Sequence, residues 1–213
     1  ATGFIGVHLL VEILEKTDCV VHCLVRAKSN KEALTKIKNT LSAYKLNLKN
    51  DFKRIRPLIG DLGKRKMGLS QTKLTFLAKI TDVVVHAGAR VNFELSYDQL
   101  RGENVLGTRE IMNFCAIGKH KSLHYISSLA VLGIDHYTKS QKKRKYLEKE
   151  LTKIPITSGY AQTKFVAERN IRNATLHGLN ANIYRLGEVA PSSKTGIPNT
   201  KSLYHIFIEA LTE

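Results

Sequence analysis

A phenol and an ammonium stand four residues apart in Ser158-Gly159-Tyr160-Ala161-Gln162-Thr163-Lys164, at what reads as the start of a helix. Residues at i and i+4 share a helical face, so the two groups can act on one substrate atom. A phenol of unperturbed pKa about 10 is a poor acid or base at neutral pH, and a fixed neighbouring cation lowers that value by favouring the ionised form. Tyr160 is therefore a candidate proton donor, with Lys164 as its cation. Of the eight tyrosines, only Tyr160 has a lysine at i+4. A serine hydroxyl in Tyr125-Ile126-Ser127-Ser128-Leu129-Ala130-Val131, at the end of an apolar run, can bind a substrate carbonyl. Neither serine lies in the Gly-x-Ser-x-Gly elbow of a hydrolase.

The elements that must position these groups alternate along the chain. β-branched apolar runs at Val20–Val25, Ile55–Ile59, Val83–His86, Leu123–Ser127 and Asn182–Arg185 read as strands. Between them, Val7–Lys16, Lys31–Tyr44, Gln71–Lys79, Gln99–Ile117 and Ala161–His177 carry apolar residues at helical spacing, and Leu203–Leu211 repeats the pattern near the end. Such alternation predicts an α/β fold with a doubly wound parallel sheet of the Rossmann type, covered on both faces. The opening Ala1-Thr2-Gly3-Phe4-Ile5-Gly6 reads as the middle of a glycine-rich turn, so a strand is expected ahead of it and the chain is read as truncated at its N-terminus. The expected division is a nucleotide-binding domain over residues 1–186 and, from the Gly- and Pro-bearing stretch 187–213, the beginning of a substrate-binding part.

In doubly wound folds ligands sit beyond the carboxyl ends of the strands, so the loops there are the candidates for cofactor contact. Thr2, Gly3, Phe4, Ile5 and Gly6 precede a helix whose free N–H groups suit a pyrophosphate. Arg26 ends the second strand with no acid beside it in sequence and Lys28 nearby, a pattern that favours a ribose 2′-phosphate, hence NADP over NAD. Asp61, followed by Leu62, either accepts the adenine amino group or forms a turn. His86 is read as a packed histidine, while Ala87, Gly88 and Ala89 are small enough for close contact with ribose and nicotinamide. Asn104, inside a helical pattern, has either a bonding duty or the part of a satisfied core amide.

Composition narrows the classes. The chain of 213 residues is 43% hydrophobic, enough for a substantial core, and no apolar run approaches the roughly 18 residues of a membrane span. Lys and Arg number 34 against 18 Asp and Glu, a net charge of +16, with much of the excess in Lys139, Lys142, Lys143, Arg144, Lys145, Lys149 and Lys153. That stretch reads as a solvated insertion, and without a recognition motif the charge does not argue for nucleic acid. Cys19, Cys23 and Cys115 have no close metal-ligand spacing and are read as buried, reduced thiols of a cytoplasmic protein, with no metal site.

Taken in order, Thr2-Gly3-x-x-Gly6, Arg26, Gly60-Asp61, His86-Ala87-Gly88-Ala89, Asn104-Val105-x-Gly107-Thr108, Ser127-Ser128 and Tyr160-x-x-x-Lys164 resemble the extended short-chain dehydrogenase/reductase superfamily. Leu24-Val25-Arg26-Ala27, Gly60-Asp61-Leu62 with Met67-Gly68-Leu69-Ser70, His86-Ala87-Gly88-Ala89-x-Val91-Asn92 with Tyr97 and Leu100, and Gly159-Tyr160-x-x-x-Lys164 with Ala167-Glu168 look, more narrowly, like thioester reductase domains. These end nonribosomal peptide synthetases, carboxylic acid reductases and aminoadipate reductases. The resemblance implies NADPH as cofactor and a phosphopantetheinyl carrier domain, in the same polypeptide, that presents an acyl or peptidyl thioester for release as aldehyde or alcohol. It assigns Ser128, where the family usually has threonine, to the carbonyl oxygen, Tyr160 to the oxyanion and Lys164 to the nicotinamide ribose. Two other readings are an acyl-CoA reductase or sugar-nucleotide epimerase of the same superfamily, the latter disfavoured by the lack of an acid near position 26, and a non-catalytic NADP sensor, disfavoured by the Tyr160–Lys164 pair.

Overall fold

The structure, a computed structural model, describes residues 1–48, 51–132 and 158–212; the basic stretch from Lys139 to Lys153 lies outside the described residues. The chain divides into two compact units, Ala1–Gly60 with Glu188–Glu213, and Asp61–Gly187. The stretch from Glu188 onward gathers with the first sixty residues.

The first unit is built from α1 (Phe4–Lys16), β1 (Val21–Val25), α2 (Asn30–Ala43), β2 (Ile55–Ile59) and, near its end, α7 (Leu203–Thr212). β1 and β2 are parallel, with Val21 opposite Ile55 and Val25 opposite Ile59, a pairing that needs the crossover α2 provides. The three-to-four spacing of Val7, Leu10, Val11 and Leu14 on α1 and of Ala33, Ile37 and Leu41 on α2 puts each set on one face. Those faces close over Cys23, Val25 and Ile55 in a single core. Each such buried aliphatic side chain contributes roughly 1.5–3 kcal/mol. Ser29 caps α2 by accepting the Glu32 amide at 3.1 Å. Lys194 reaches back to Glu12 of α1 at 3.2 Å.

The second unit contains α3 (Gln71–Ile80), β3 (Val83–His86), α4 (Tyr97–Arg101), α5 (Gly107–Ala116), β4 (Ser122–Ser128), α6 (Gly159–Thr175) and β5 (Ala181–Leu186). Its strands run parallel in the order β3-β4-β5, with His86 opposite Tyr125 and Ser127 opposite Arg185. Leu123, Tyr125 and Ser127 alternate into the interior. Among the described residues β3 pairs with β4 alone, and its Val83 and Val85 are 52% and 40% exposed. Both units thus have the parallel strands and crossover helices of the expected α/β class.

Two expectations need correction. The single helix predicted over Gln99–Ile117 is interrupted by a π-helical turn, Gly102–Leu106, in which the Gly107 amide bonds back to the Gly102 carbonyl. The interruption follows from Asn104, whose side chain is engaged with a loop 14 residues away rather than with its own helix. Cys19 is exposed on the connection after α1, not buried, whereas Cys23 and Cys115 are buried; all three are free.

Candidate active site

In the first unit, Gly3 is the N-cap of α1 and makes no side-chain cap, and the first turn carries no acidic residue. The first backbone bond of the helix runs from the Val7 amide to the Gly3 carbonyl, so the preceding amides present donors and the positive end of the helix dipole. A Cβ at Gly6 would lie 2.9 Å from the Ala1 nitrogen, so the close approach here is made by the chain's own backbone. Phe4 packs inward, its ring 4.6 Å from His8 and 5.1 Å from Tyr44, and Thr2 is exposed. Arg26 is exposed at the end of β1. Sequence order hides one neighbour: Glu32 accepts the Lys28 amide at 2.8 Å and pairs with Lys36 at 2.7 Å, and Lys36 in turn donates to the Arg26 carbonyl. The loop after β1 is thereby tied to α2.

In the second unit, Asp61 takes the turn-forming alternative with one oxygen, Oδ1 accepting the Gly63 amide at 3.0 Å. Leu62 packs where side chains on two glycines would stand: a Cβ at Gly88 would lie 3.2 Å from its Cδ2, and one at Gly107 2.7 Å from its carbonyl oxygen. Ala87 is half-buried and Gly88 and Ala89 are exposed. Asn104 is 2% exposed and its amide is committed to protein partners. Oδ1 accepts the Arg90 amide at 2.7 Å, while Nδ2 donates to the Arg90 carbonyl and to Thr163 Oγ1, each at 3.0 Å. Thr163 donates onward to the Tyr160 carbonyl at 2.8 Å, so Asn104 holds the start of α6 to the loop after β3. The core-amide alternative describes what its side chain does.

His86 is packed, as expected. Thr108 Oγ1 donates to the Asn104 carbonyl at 2.6 Å, so the 2.9 Å bond between that oxygen and His86 Nε2 is one in which the imidazole donates. Burial, reinforced by the nearby Lys164 charge, lowers its pKa to about 3 and keeps it neutral.

The candidate chemistry collects where β4 runs out beside α6. Ser158 caps α6 through the Ala161 amide at 3.2 Å, and Gly159 lets the helix start against the chain at 95–97: a Cβ there would lie 2.4 Å from the Leu95 carbonyl oxygen. Tyr160 follows, half-buried, its ring edge-on to Phe93 at 5.4 Å. One turn on, Lys164 is 3% exposed, donates to the Ile126 carbonyl at 2.6 Å and lies 4.1 Å from the centre of the Tyr125 ring. Burial brings its pKa down to about 7, with Glu168 acting in the opposite direction. Burial also pushes the Tyr125 phenol upward, so that group stays protonated. Ser128, two residues past Ile126, is half-buried and accepts the Ala130 amide at 3.2 Å; its neighbour Ser127 is buried and donates to Glu168 Oε2 at 2.8 Å. A groove of about 600 Å3, lined among others by Arg109, His120, Lys121 and His177, lies at the opposite end of α6 from Tyr160.

The second unit thus holds Ser128, Tyr160, Lys164, Asn104, Asp61, Leu62 and Ala87–Ala89, and the first holds Thr2–Gly6 and Arg26. Sequence reasoning gave no role to Thr163 or Tyr125 and quoted Glu168 only within a motif. A signal was available, since Thr163, Lys164 and Glu168 share the buried face of α6 with Ala161, Phe165, Ala167 and Ile171. Polar groups on an apolar stripe must be paired or functional.

Parallel strands, crossover helices and a glycine turn that opens the first helix together define a dinucleotide-binding type of α/β protein. The NAD_binding_4 family, described as male sterility protein, matches residues 1–213, and the chain belongs to that family. It is 39% identical over 196 residues to a linear gramicidin synthase from Brevibacillus parabrevis, covering 92% of this chain and 4% of that protein. To the L-2-aminoadipate reductase large subunit of Candida glabrata it is 32% identical over 225 residues, covering 100% of this chain and 16% of the relative. Among solved structures, the terminal R domain from the myxalamid PKS-NRPS biosynthetic pathway superposes with a TM-score of 0.88 at 38% identity, over 97% of this chain and 52% of that one. The chain therefore spans a small part of these curated relatives and about half of the solved domain.

Two outcomes test the site's architecture. Gly159→Ala drives a methyl into the backbone of Leu95 to Tyr97 and is expected to cost upward of about 1–3 kcal/mol of stability; an unchanged denaturant midpoint would show that the contact is absent. Between about pH 3 and 6.5 the unfolded state takes up a proton on His86 that the folded state refuses, so stability rises with pH across this window and falls on acidification. Denaturant titrations from neutral to acid pH should show His86→Gln losing stability less steeply than wild type, by up to about 1.4 kcal/mol per pH unit; parallel slopes would contradict the buried neutral imidazole.

Proposed function

We propose that this chain is the cofactor-binding and catalytic part of an NADPH-dependent reductase that releases an acyl or peptidyl thioester from a phosphopantetheinyl carrier domain, as aldehyde or alcohol. The single observation that carries the reading is the Tyr160–Lys164 arrangement. An amine is withdrawn from water and fixed on a strand-end carbonyl, one turn from a half-buried phenol. A lysine serving only solubility would leave its charge in solvent. Support also comes from relatives whose names include an aminoadipate reductase and the terminal R domain of a PKS-NRPS pathway. A carrier domain on the same polypeptide accords with the small share of the gramicidin synthase that this chain matches.

The residues fit a dinucleotide. The first turn of α1 offers unpaired amides with no acid to repel a pyrophosphate, and Arg26 is exposed at the strand end where a 2′-phosphate is met. Thr2 to Gly6 would hold the pyrophosphate, Arg26 the 2′-phosphate, Asp61 and Leu62 the adenine side, Ala87 to Ala89 the ribose and nicotinamide, and Lys164 the nicotinamide ribose. NADPH supplies the hydride when bound. Ser128 would donate its hydroxyl proton to the thioester carbonyl oxygen and orient the acyl group. As the carbonyl carbon becomes tetrahedral, Tyr160 stabilises the developing oxyanion and transfers a proton to it. Protonated Lys164 supplies the positive field that makes this phenol a competent donor. Collapse of the resulting hemithioacetal expels the carrier thiol and frees the aldehyde. Asn104 acts through backbone, holding the Arg90 loop and the Tyr160 turn in register.

In the full-length protein, Tyr160→Phe is expected to keep NADPH affinity and lower thioester reduction by about 100-fold or more, read by fluorescence titration and single-turnover NADPH oxidation. Turnover at the wild-type rate would refute the assignment. Arg26→Ala should weaken NADPH binding by about tenfold or more while leaving NADH affinity nearly unchanged. An equal loss for both cofactors would remove Arg26 from the 2′-phosphate.

A further inference from the structure

We propose that Glu168 is a positioning residue for the Tyr160–Lys164 pair, a buried carboxylate that pins α6 to the ends of β4 and β5 and so fixes where the Lys164 ammonium sits. The inference rests on the reading that this pair performs the chemistry. Glu168 lies one turn beyond Lys164 and is 0% exposed. Ser127 and Arg185 are register partners on adjacent strands, so their side chains leave the same face of the sheet. Both end on this carboxylate: Ser127 Oγ donates at 2.8 Å, and Arg185 donates through Nη2 at 2.6 Å and Nε at 3.1 Å. Arg172, one turn further along α6, closes the cluster at 3.1 Å.

The geometry ties this cluster to Lys164 rather than to general packing. Lys164 and Glu168 take hold of consecutive residues of β4, the Ile126 carbonyl and the Ser127 hydroxyl, immediately ahead of Ser128. A shift of α6 along the strand would break both grips at once and move Tyr160 relative to Ser128. Charge points the same way. Among the described residues, the groups that act on Lys164 are Glu168 from its own helix, the Tyr125 ring from β4 and the neutral His86 from β3, while Tyr160 stands one turn before it. Behind Glu168 stand Arg172 of α6 and Arg185 of β5. Glu168 is the anion of this set, and it favours the protonated form of Lys164 while it pairs with two guanidiniums.

Signs follow for two substitutions. Removing the carboxylate charge in Glu168→Gln takes away the group that raises the Lys164 value, so its proton is lost at lower pH. Removing a compensating cation in Arg185→Gln leaves the carboxylate field less opposed, so the proton is kept to higher pH. The test uses the full-length protein, with NADPH affinity by fluorescence titration and single-turnover reduction rate each measured from mildly acidic to mildly alkaline pH. Wild type should show an alkaline limb near the Lys164 value of about 7 in both readouts. Glu168→Gln should move that limb down by roughly one unit and Arg185→Gln should move it up. Variants that fold with a lower Tm but an unmoved limb would make Glu168 structural only and overturn the proposal. If Glu168→Gln does not fold, Arg185→Gln decides by the same criterion. Tyr160→Phe run in parallel separates the two levels: activity retained there defeats the reductase reading itself, whereas activity lost there with unmoved limbs defeats the positioning role alone.

Discussion

Keeping an ammonium out of water dominates the second unit. A bare lysine charge in an apolar interior costs far more than a folded domain can supply, so the group must be paired, neutralised or both. Here the Lys164 amine meets a strand-end carbonyl and the face of an aromatic ring, and its pKa settles at about 7. Between that value and 10.5 the unfolded chain carries a proton that the folded chain has released, so folding is least favourable where the amine is charged and eases as pH rises. Stability is thus given up in the protonated state, which is the state the proposed chemistry uses. Such an arrangement is common where function and stability compete.

The neighbouring residues make this position reproducible. Leu62 fills the space that side chains on Gly88 and Gly107 would need, and Gly159 lets backbone meet backbone where α6 begins beside Leu95 to Tyr97. Asn104 then joins the loop after β3 to the first turn of α6 through Thr163. These contacts involve small residues, amides and hydroxyls, with short reach and few rotamers, so little freedom remains for the phenol that follows. The first unit shows the opposite economy: its aliphatic core is conventional, and of its candidate binding residues Thr2, Gly3 and Arg26 are left exposed.

What could be read in the sequence follows from how local each cause is. Ile55–Ile59 and Val83–His86 match their expected bounds because an apolar β-branched run between turn residues is a local signal. Tyr160 and Lys164 were visible because helical spacing alone places them on one face. Asn104 could not be resolved, since the choice between ligand and core amide is made by Arg90 and Thr163, 14 and 59 residues away. The broken helix around it was hidden for the same reason. Glu168 looked like an ordinary helix carboxylate until Ser127 and Arg185 were seen to converge on it from adjoining strands. Nor did Gly159 announce that its missing side chain answers to backbone more than sixty positions earlier.

The π turn at Gly102–Leu106 holds one residue more than a regular helix would need to cover the same distance. Because each α-helical residue turns the chain by about 100°, that surplus sets the angular phase between α4 and α5. A natural variant lacking one of the four residues around Asn104 in this turn could still form a continuous helix of ordinary appearance. It would, however, swing the carboxamide off the Arg90 peptide and release the turn that bears Tyr160. Length in this short stretch is therefore as constrained as identity, and an insertion or deletion there would damage the site without touching a reacting group.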